Sequence, residues 1–119
     1  MAMKMISIAM TAYNREKYLC EQLYSILVQI HQNFGLVVCG ACSTDSTVRI
    51  LRECEKNDGR IKIFVNEKNL GVKKNFEKAI GLCSGDYIAL SDKGDIWLPW
   101  HLKTLFNNIE GFVKLFLWG

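Results

Sequence analysis

Cys39 and Cys42 are the residues whose type and spacing most directly indicate chemistry, because they form a C-x-x-C pair behind an apolar run. Such a pair serves in redox chemistry or as half of a zinc site. A redox pair begins at a helix N-terminus, yet the residues that favour a helix start occupy positions 43–46, after the pair. We therefore expect Cys39 to be the buried last residue of a strand, with redox chemistry as an alternative.

A zinc site at this pair is the weaker interpretation. Structural zinc takes about four ligands, usually as two closely spaced pairs. The other cysteines and the two histidines, His31 and His101, offer no second pair.

The elements around this pair alternate between strand and helix. Short apolar runs predict four strands, at 5–10, 34–39, 61–65 and 87–90. Apolar positions at helical spacing predict four helices, at 17–30, from 43–46 onwards, from 72 to about 85 and from 99 onwards. Asn14 is the candidate N-cap of the first helix, and Gly85 is the candidate left-handed cap of the third. This alternation is typical of a parallel sheet built from right-handed crossovers.

Ligands of such sheets bind beyond the carboxyl ends of the strands, where the strand order reverses. The loops after the four strands are therefore the candidate functional segments, and they read TAYN, GACSTD, NEKNLG and SDKGD.

Composition narrows the class of protein. A chain of 119 residues with 50% hydrophobic residues and one proline is long enough for one globular domain. Its net charge of +3 is small and its basic residues are scattered, which argues against a nucleic-acid partner. We expect neither a secretory leader nor a bilayer-spanning helix. The odd number of cysteines, five, favours reduced thiols and a cytoplasmic location.

Several segments, taken in order, resemble the N-terminal half of bacterial family 2 glycosyltransferases. They read ISIAMTAYNREKYLCEQLYSIL, CSTDST, NEKNLGVKKNFEKAI and CSGDYIALSDKGDIWLP. The resemblance implies a GT-A fold, which is a Rossmann-like α/β fold with a mostly parallel sheet and helices on both faces. It also implies transfer of a sugar from a nucleotide-diphosphate donor, and a donor-binding domain over residues 1–110.

The first loop matches the place where this family holds the nucleotide base and ribose. The matching residues are Ala12, Tyr13 and Asn14, and Glu16 lies in the same loop. A tyrosine suits that role because its flat face stacks on a base at low entropic cost.

The second loop departs from the family. Gly40 and Ala41 stand where the family usually has two aspartates, the first of which accepts a hydrogen bond from the base. Glycine and alanine offer no side-chain acceptor. The resemblance therefore implies a nucleotide site that binds the base weakly.

The third loop matches the family's Asn-x-Gly turn at Asn69 and Gly71, and Lys74 lies in the helix that follows. A helix N-terminus with nearby lysines is a suitable neighbour for a diphosphate. Lysines on a solvated helix face are the open alternative.

The fourth loop implies a divalent metal, Mn²⁺ or Mg²⁺. Ser91 and Asp92 match the family's Ser-Asp-x-Asp-Asp pattern, in which an Asp-x-Asp pair binds ribose and the metal. Gly94 replaces the second aspartate of that pair, and Asp95 is the remaining carboxylate that is able to serve as a metal ligand.

Residues 111–119, GFVKLFLWG, form an apolar tail unlike the family's continuation. In the family, the catalytic base and the acceptor pocket lie in a following half, so no catalytic residue is named and the chain is expected to be truncated. We expect a nucleotide-diphospho-sugar partner, but an inactive or impaired enzyme as this chain alone. The alternative is a non-catalytic remnant that acts through a partner or a homo-oligomer formed by the tail. Peripheral membrane association is expected only of the full-length family.

Overall fold

The computed structural model describes residues 5–13, 17–40, 46–92 and 96–109. Strands and helices alternate along this part of the chain. In order they are β1 (Ile6–Ala12), α1 (Leu19–Leu27), β2 (Phe34–Gly40), α2 (Thr47–Asn57), β3 (Ile61–Val65), α3 (Val72–Gly81), β4 (Tyr87–Ser91) and α4 (His101–Ile109). The apolar tail 111–119 lies outside the described residues, so self-association through it stays a prediction.

The four strands form one parallel sheet in the order β3-β2-β1-β4. The chain moves outward from β1 to β3 and then crosses to the other side of β1 to form β4. The strand order therefore reverses between β1 and β4, and this pair of strands defines the edge at which a ligand crevice is expected.

Helices cover both faces of the sheet, as predicted. On one face, Ile8 and Met10 of β1 lie in a large apolar core to which α1, α2 and α4 contribute Leu23, Leu51 and Leu102. On the other face, α3 packs over a smaller cluster that contains Ala9, Val37, Cys39 and Ala79. Because β1 and β2 are buried on both faces, their sequences are almost continuously apolar.

The first helix is shorter than its apolar pattern predicts. It begins at Leu19, its N-cap is Tyr18, and the candidate cap Asn14 lies outside the described residues. It ends at Leu27 because the backbone then turns towards the start of the fourth helix. There the Ile30 amide donates to the carbonyl oxygen of Pro99 at 2.8 Å.

The prediction of a left-handed cap at Gly85 was wrong. Helix α3 ends at Gly81, and Gly71 is the glycine with positive φ among the described residues. Gly85 instead lies against the first strand, where its amide donates to Ser7 Oγ at 2.7 Å. A Cβ there would lie 2.8 Å from the carbonyl oxygen of Met5. Glycine is needed at this position for close approach rather than for backbone conformation.

The fourth helix starts two residues later than predicted. Pro99 and Trp100 form a turn, and the helix begins at His101. Within the ranges that the structure describes, no helix has the length and apolar composition needed to cross a bilayer.

Candidate functional site

The carboxyl ends of β1 and β4 lie at the point where the strand order reverses, which is where a ligand crevice is expected in sheets of this class. Met10 is the last residue of β1 that pairs with β4, and its partner is Ser91. Beyond it, β1 continues beside β2 alone, so that Ala12 pairs with Gly40. Three of the predicted site residues, Ala12, Gly40 and Ser91, are therefore brought to one edge of the sheet.

Two polar side chains are exposed at this crevice. Tyr13 follows β1 and its residue surface is 42% exposed, although it is a large aromatic residue. Asp92 follows β4 and is also exposed. An aromatic face and a carboxylate at the same sheet edge are suited to stack on a base and to hold a cation.

The end of β4 is hydrogen-bonded to a buried glutamine side chain of α1. Gln22 is 1% exposed, and its Nε2 donates to Ser91 Oγ at 2.9 Å and to the carbonyl oxygen of Asp92 at 2.8 Å. These bonds fix the backbone where Asp92 leaves the strand.

The end of β2 is held by a chain of buried amides. Lys78 Nζ donates to Asn66 Oδ1 at 2.5 Å, and Asn66 Nδ2 donates to Asn75 Oδ1 at 2.7 Å. Asn75 Nδ2 then donates to the carbonyl oxygen of Cys39 at 2.9 Å. In addition, the backbone amide of Asn66 donates to the carbonyl oxygen of Gly40 at 2.7 Å. The network ties α3 and the end of β3 to the strand end that carries Gly40.

The Asn-x-Gly turn at the start of α3 is closed by the side chain of its asparagine. Asn69 Oδ1 accepts a hydrogen bond from the Gly71 amide at 2.9 Å. Gly71 has φ 85° and ψ 159°, a region that is open almost only to glycine. Lys74 lies exposed in the first turn of α3. This turn follows β3 and is therefore at the same sheet edge as the crevice.

Some predicted site residues lie outside the part of the chain that the structure describes. They are Asn14, Glu16, Ala41 and Asp95. Their roles stay predictions.

The crevice supplies one described carboxylate for a metal, that of Asp92. Among the described residues, no three His, Cys, Asp or Glu side chains are grouped closely enough to hold a metal ion. Magnesium in phosphate-binding sites is commonly held by one or two carboxylates together with the phosphates of the substrate. This donor set therefore fits a metal that arrives with a diphosphate, and it does not fit a metal cage made of protein groups alone.

The structure also bears on the cysteine pair. Cys39 is fully buried in β2, and α2 begins at Thr47, well after the pair. Burial raises the pKa of the Cys39 thiol, and the nearby positive charge of Lys78 offsets this only in part. A raised pKa leaves little of the thiolate that redox chemistry requires. Cys42 lies outside the described residues.

We expect Cys39 to react with iodoacetamide at pH 8 at least about ten times more slowly than the exposed Cys20, because its thiol is buried and protonated. Peptide mass spectrometry of timed samples measures both rates in one molecule. Equal rates for the two thiols would reinstate the redox interpretation. In urea the difference is expected to disappear.

Three buried amide side chains of this site were not singled out from the sequence. They are Gln22, Asn66 and Asn75. Gln22 carried a usable signal, since it lies beside Leu19 and Leu23 on the predicted apolar face of the first helix. A polar residue at a core position requires a hydrogen-bond partner when it is buried. The two asparagines follow a strand and open a helix, where such residues are common, and they carried no such signal.

Comparison with known proteins agrees with this geometry. The sequence model of the family described as Glycosyl transferase family 2 matches residues 7–115. An uncharacterized glycosyltransferase of Haemophilus influenzae is 36% identical over 106 residues, which cover 89% of this chain and 33% of that protein. The chain thus spans about a third of the length of this relative.

Solved structures show the same fold. TarS of S. aureus in complex with UDP superposes with a TM-score of 0.81 and 29% identity, over 92% of this chain and 32% of that chain. A mannosyltransferase of Pyrobaculum calidifontis, PcManGT, in complex with GDP-Man and Mn²⁺, superposes with a TM-score of 0.67 and 19% identity, over 73% of this chain and 26% of that chain. These findings confirm the predicted GT-A architecture and the resemblance in sequence. The chain belongs to glycosyltransferase family 2.

Proposed function

We propose that this chain is the donor-binding part of a family 2 glycosyltransferase and binds a nucleotide-diphospho-sugar in the crevice between β1 and β4. The observation that carries the proposal is the reversal of strand order there, which puts exposed Tyr13 and exposed Asp92 at one sheet edge. Further support comes from TarS, a similar structure that was solved with UDP and also with UDP-GlcNAc.

In this proposal the loops after β1, β3 and β4 contact different parts of the donor. Tyr13, with Ala12, Asn14 and Glu16 of the same loop, holds the base and ribose. The start of α3, with Gly71, Asn69 and Lys74, lies near the diphosphate, because backbone N–H groups and lysines at a helix N-terminus favour anions. Ser91 shapes the end of the fourth strand.

Asp92, with Asp95 as a candidate second ligand, would hold Mn²⁺ or Mg²⁺ together with the phosphates. The metal would supply positive charge that neutralises the diphosphate leaving group. Asp92 contributes one anionic oxygen ligand and is held in place through its backbone. No residue of this chain is assigned as the base that activates an acceptor, so we propose that the chain alone does not transfer sugar.

We further propose that the base is bound weakly because Gly40 and Ala41 have no side-chain hydrogen-bond acceptor. A Cβ at Gly40 is sterically allowed, since it would meet its nearest atoms, the carbonyl oxygen of Ala12 and Leu51 Cδ1, at 3.7 and 3.8 Å. These are ordinary van der Waals distances.

The free thiols in the described part of the chain, among them exposed Cys20, are typical of a reducing compartment, and we propose a cytoplasmic location.

Gly40→Asp is expected to tighten the binding of UDP with Mn²⁺ by about 10- to 100-fold, since a hydrogen bond to a charged acceptor contributes about 1.5–3 kcal/mol. Isothermal titration measures the affinity, and the original chain is expected to bind more weakly than about 100 μM. Electron paramagnetic resonance of Mn²⁺ is expected to show bound metal when UDP is present and little without it.

The matched control is Gly35→Asp, the same substitution at the opposite end of β2. A Cβ at Gly35 would meet its nearest atoms at 3.9 Å, so a Cβ is sterically allowed there as it is at Gly40. It is expected to leave the affinity for UDP unchanged. Micromolar binding of UDP by the original chain would refute the proposal that the base is bound weakly. If none of the three proteins binds UDP at millimolar concentration, the donor-binding proposal is wrong.

A further inference from the structure

Helix α1 carries a buried polar face that contacts the chain between β4 and α4. Gln22 and Ser25 lie on one side of α1, Gln29 follows two residues after its last residue Leu27, and each is less than 7% exposed. Ser25 Oγ accepts a hydrogen bond from the Trp97 amide at 3.1 Å. Gln29 Nε2 donates to the carbonyl oxygen of Leu98 at 2.8 Å. These contacts and those of Gln22 lie on both sides of residues 93–95.

Gln22 differs from its two neighbours because it acts on the strand end itself. Both of its hydrogen bonds start from Nε2, and their acceptors belong to the consecutive residues Ser91 and Asp92. A primary amide has two N–H groups at a fixed angle, so both are used here. One bond holds the side chain of Ser91 and the other holds the backbone carbonyl of Asp92, so the same amide restrains two adjacent residues at the strand end.

We propose that Gln22 is the positioning residue for Asp92, and that it sets the affinity of the crevice for a divalent cation bound with a nucleoside diphosphate. This inference rests on the proposed function. A ligand carboxylate has to lie within about 0.5 Å of its productive position, and a side chain on a helix provides a more rigid support than a loop. The backbone of Asp92 is anchored to the interior of α1, 70 residues away in sequence.

The chemistry of this position requires a donor. Methionine has a similar length but would leave the carbonyl oxygen of Asp92 and the Ser91 hydroxyl without the amide. Glutamate has the shape of glutamine, but its ionised carboxylate only accepts hydrogen bonds and would face a carbonyl oxygen. Gln22→Met therefore removes both bonds, whereas Gln22→Glu removes the bond to the Asp92 carbonyl oxygen but leaves the Ser91 hydroxyl able to donate to the carboxylate.

Gln29, two residues beyond the end of α1, provides a matched control. It is fully buried, and its Nε2 likewise makes two hydrogen bonds, which go to the carbonyl oxygens of Ser25 and Leu98, each at 2.8 Å. Its Oε1 accepts from the Leu102 amide at 3.0 Å. Gln29→Met thus removes equally buried amide bonds, but none of them reaches the end of β4.

The experiment compares the affinity for Mn²⁺ with UDP, the thermal stability and the hydrogen exchange of residues 87–92. Gln22→Met and Gln22→Glu are expected to weaken binding by about tenfold or more, the usual effect of losing a group that orients a metal ligand. They are also expected to speed up exchange at the end of β4. Gln29→Met is expected to lower the melting temperature but to leave affinity within about twofold and exchange at 87–92 unchanged.

Two results would overturn the inference. The first is equal loss of affinity in the Gln22 and Gln29 variants, which would reduce Gln22 to a general stabilising residue. The second is unchanged exchange at 87–92 in both Gln22 variants, a readout that does not need the nucleotide. If the original chain binds no nucleotide but exchange changes as expected, the proposed function fails while the anchoring of Asp92 by Gln22 stands.

Discussion

Replacing Asn75 with leucine is expected to lower the free energy of unfolding by about 3 kcal/mol. Asn75 is 4% exposed and occupies the middle of the amide chain between Asn66 and the carbonyl oxygen of Cys39. A leucine leaves a buried amide and a buried carbonyl oxygen without this partner, and each such loss costs about 1–3 kcal/mol. Urea unfolding followed by circular dichroism measures the difference.

The control for this prediction is Asn107→Leu, the same substitution on the exposed surface of α4. It is expected to change the free energy of unfolding by less than about 0.5 kcal/mol, as surface substitutions usually do. If Asn75→Leu is as stable as Asn107→Leu, the amide chain contributes nothing to the hold on β2. We also expect Asn75→Leu to weaken the binding of UDP, because the network holds the strand end that carries Gly40.

Gly85→Ala is expected to destabilise the fold by about 2–3 kcal/mol, a large effect for one methyl group. The added Cβ would lie 2.7 Å from Ser7 Oγ and 2.8 Å from the Met5 carbonyl oxygen and from the Ser7 amide. Two of these atoms belong to the backbone, so relief requires β1 and the start of β4 to move apart. Overpacking of this kind usually costs about 1–3 kcal/mol. The hydrogen bond from the Gly85 amide to Ser7 Oγ is strained by the same shift.

Gly81→Ala is the matched control for this prediction. Gly81 is the last residue of α3, and, apart from its chain neighbours and the backbone of its own helix, no atom of the described structure lies within 4 Å of a Cβ built on it. Alanine is the better helix former by about 0.5–1 kcal/mol, so this variant is expected to be as stable as the original chain or slightly more so. Thermal unfolding of the two variants side by side provides the measurement. Similar melting temperatures would mean that Gly85 has more room than its contacts indicate.

The strands were predictable because their signal is local. Residues 34–39 are the kind of apolar run that a strand buried on both faces requires, and residues 61–65 are apolar except for the exposed Lys62 of the edge strand β3. The observed strands begin where these two segments begin. The helix ends were less predictable. The first helix continues its apolar spacing to Ile30, but the backbone leaves the helix after Leu27 to bond with Pro99. A contact between positions so far apart has no trace in the local pattern.

The residues of the candidate site also differ in how far the sequence predicted them. The alternation of strands and helices identified the loops that meet at the carboxyl edge, because all strands of a parallel sheet end on the same side. Within those loops, the family resemblance singled out Tyr13, Gly40 and Asp92. The residues that hold those loops carried weaker signals or none. Gln22 bonds to Ser91 across 69 positions, and Asn75 bonds to Cys39 across 36.

The spacing of the C-x-x-C pair was not sufficient to predict its chemistry. Its spacing alone allowed redox chemistry, whereas the capping residues at positions 43–46, which follow the pair, argued against it. The burial of Cys39 supplies the physical reason, since a thiol without access to water keeps its proton.

The sequence by itself thus determined the fold class, the family and the loops that meet at the crevice, since these depend on periodicity and on short motifs. Only the tertiary structure decided which buried amides anchor those loops and why Gly85 has to be glycine. Hydrogen bonds and close contacts between distant segments form only when the chain packs, and a buried polar group shows its partner only then.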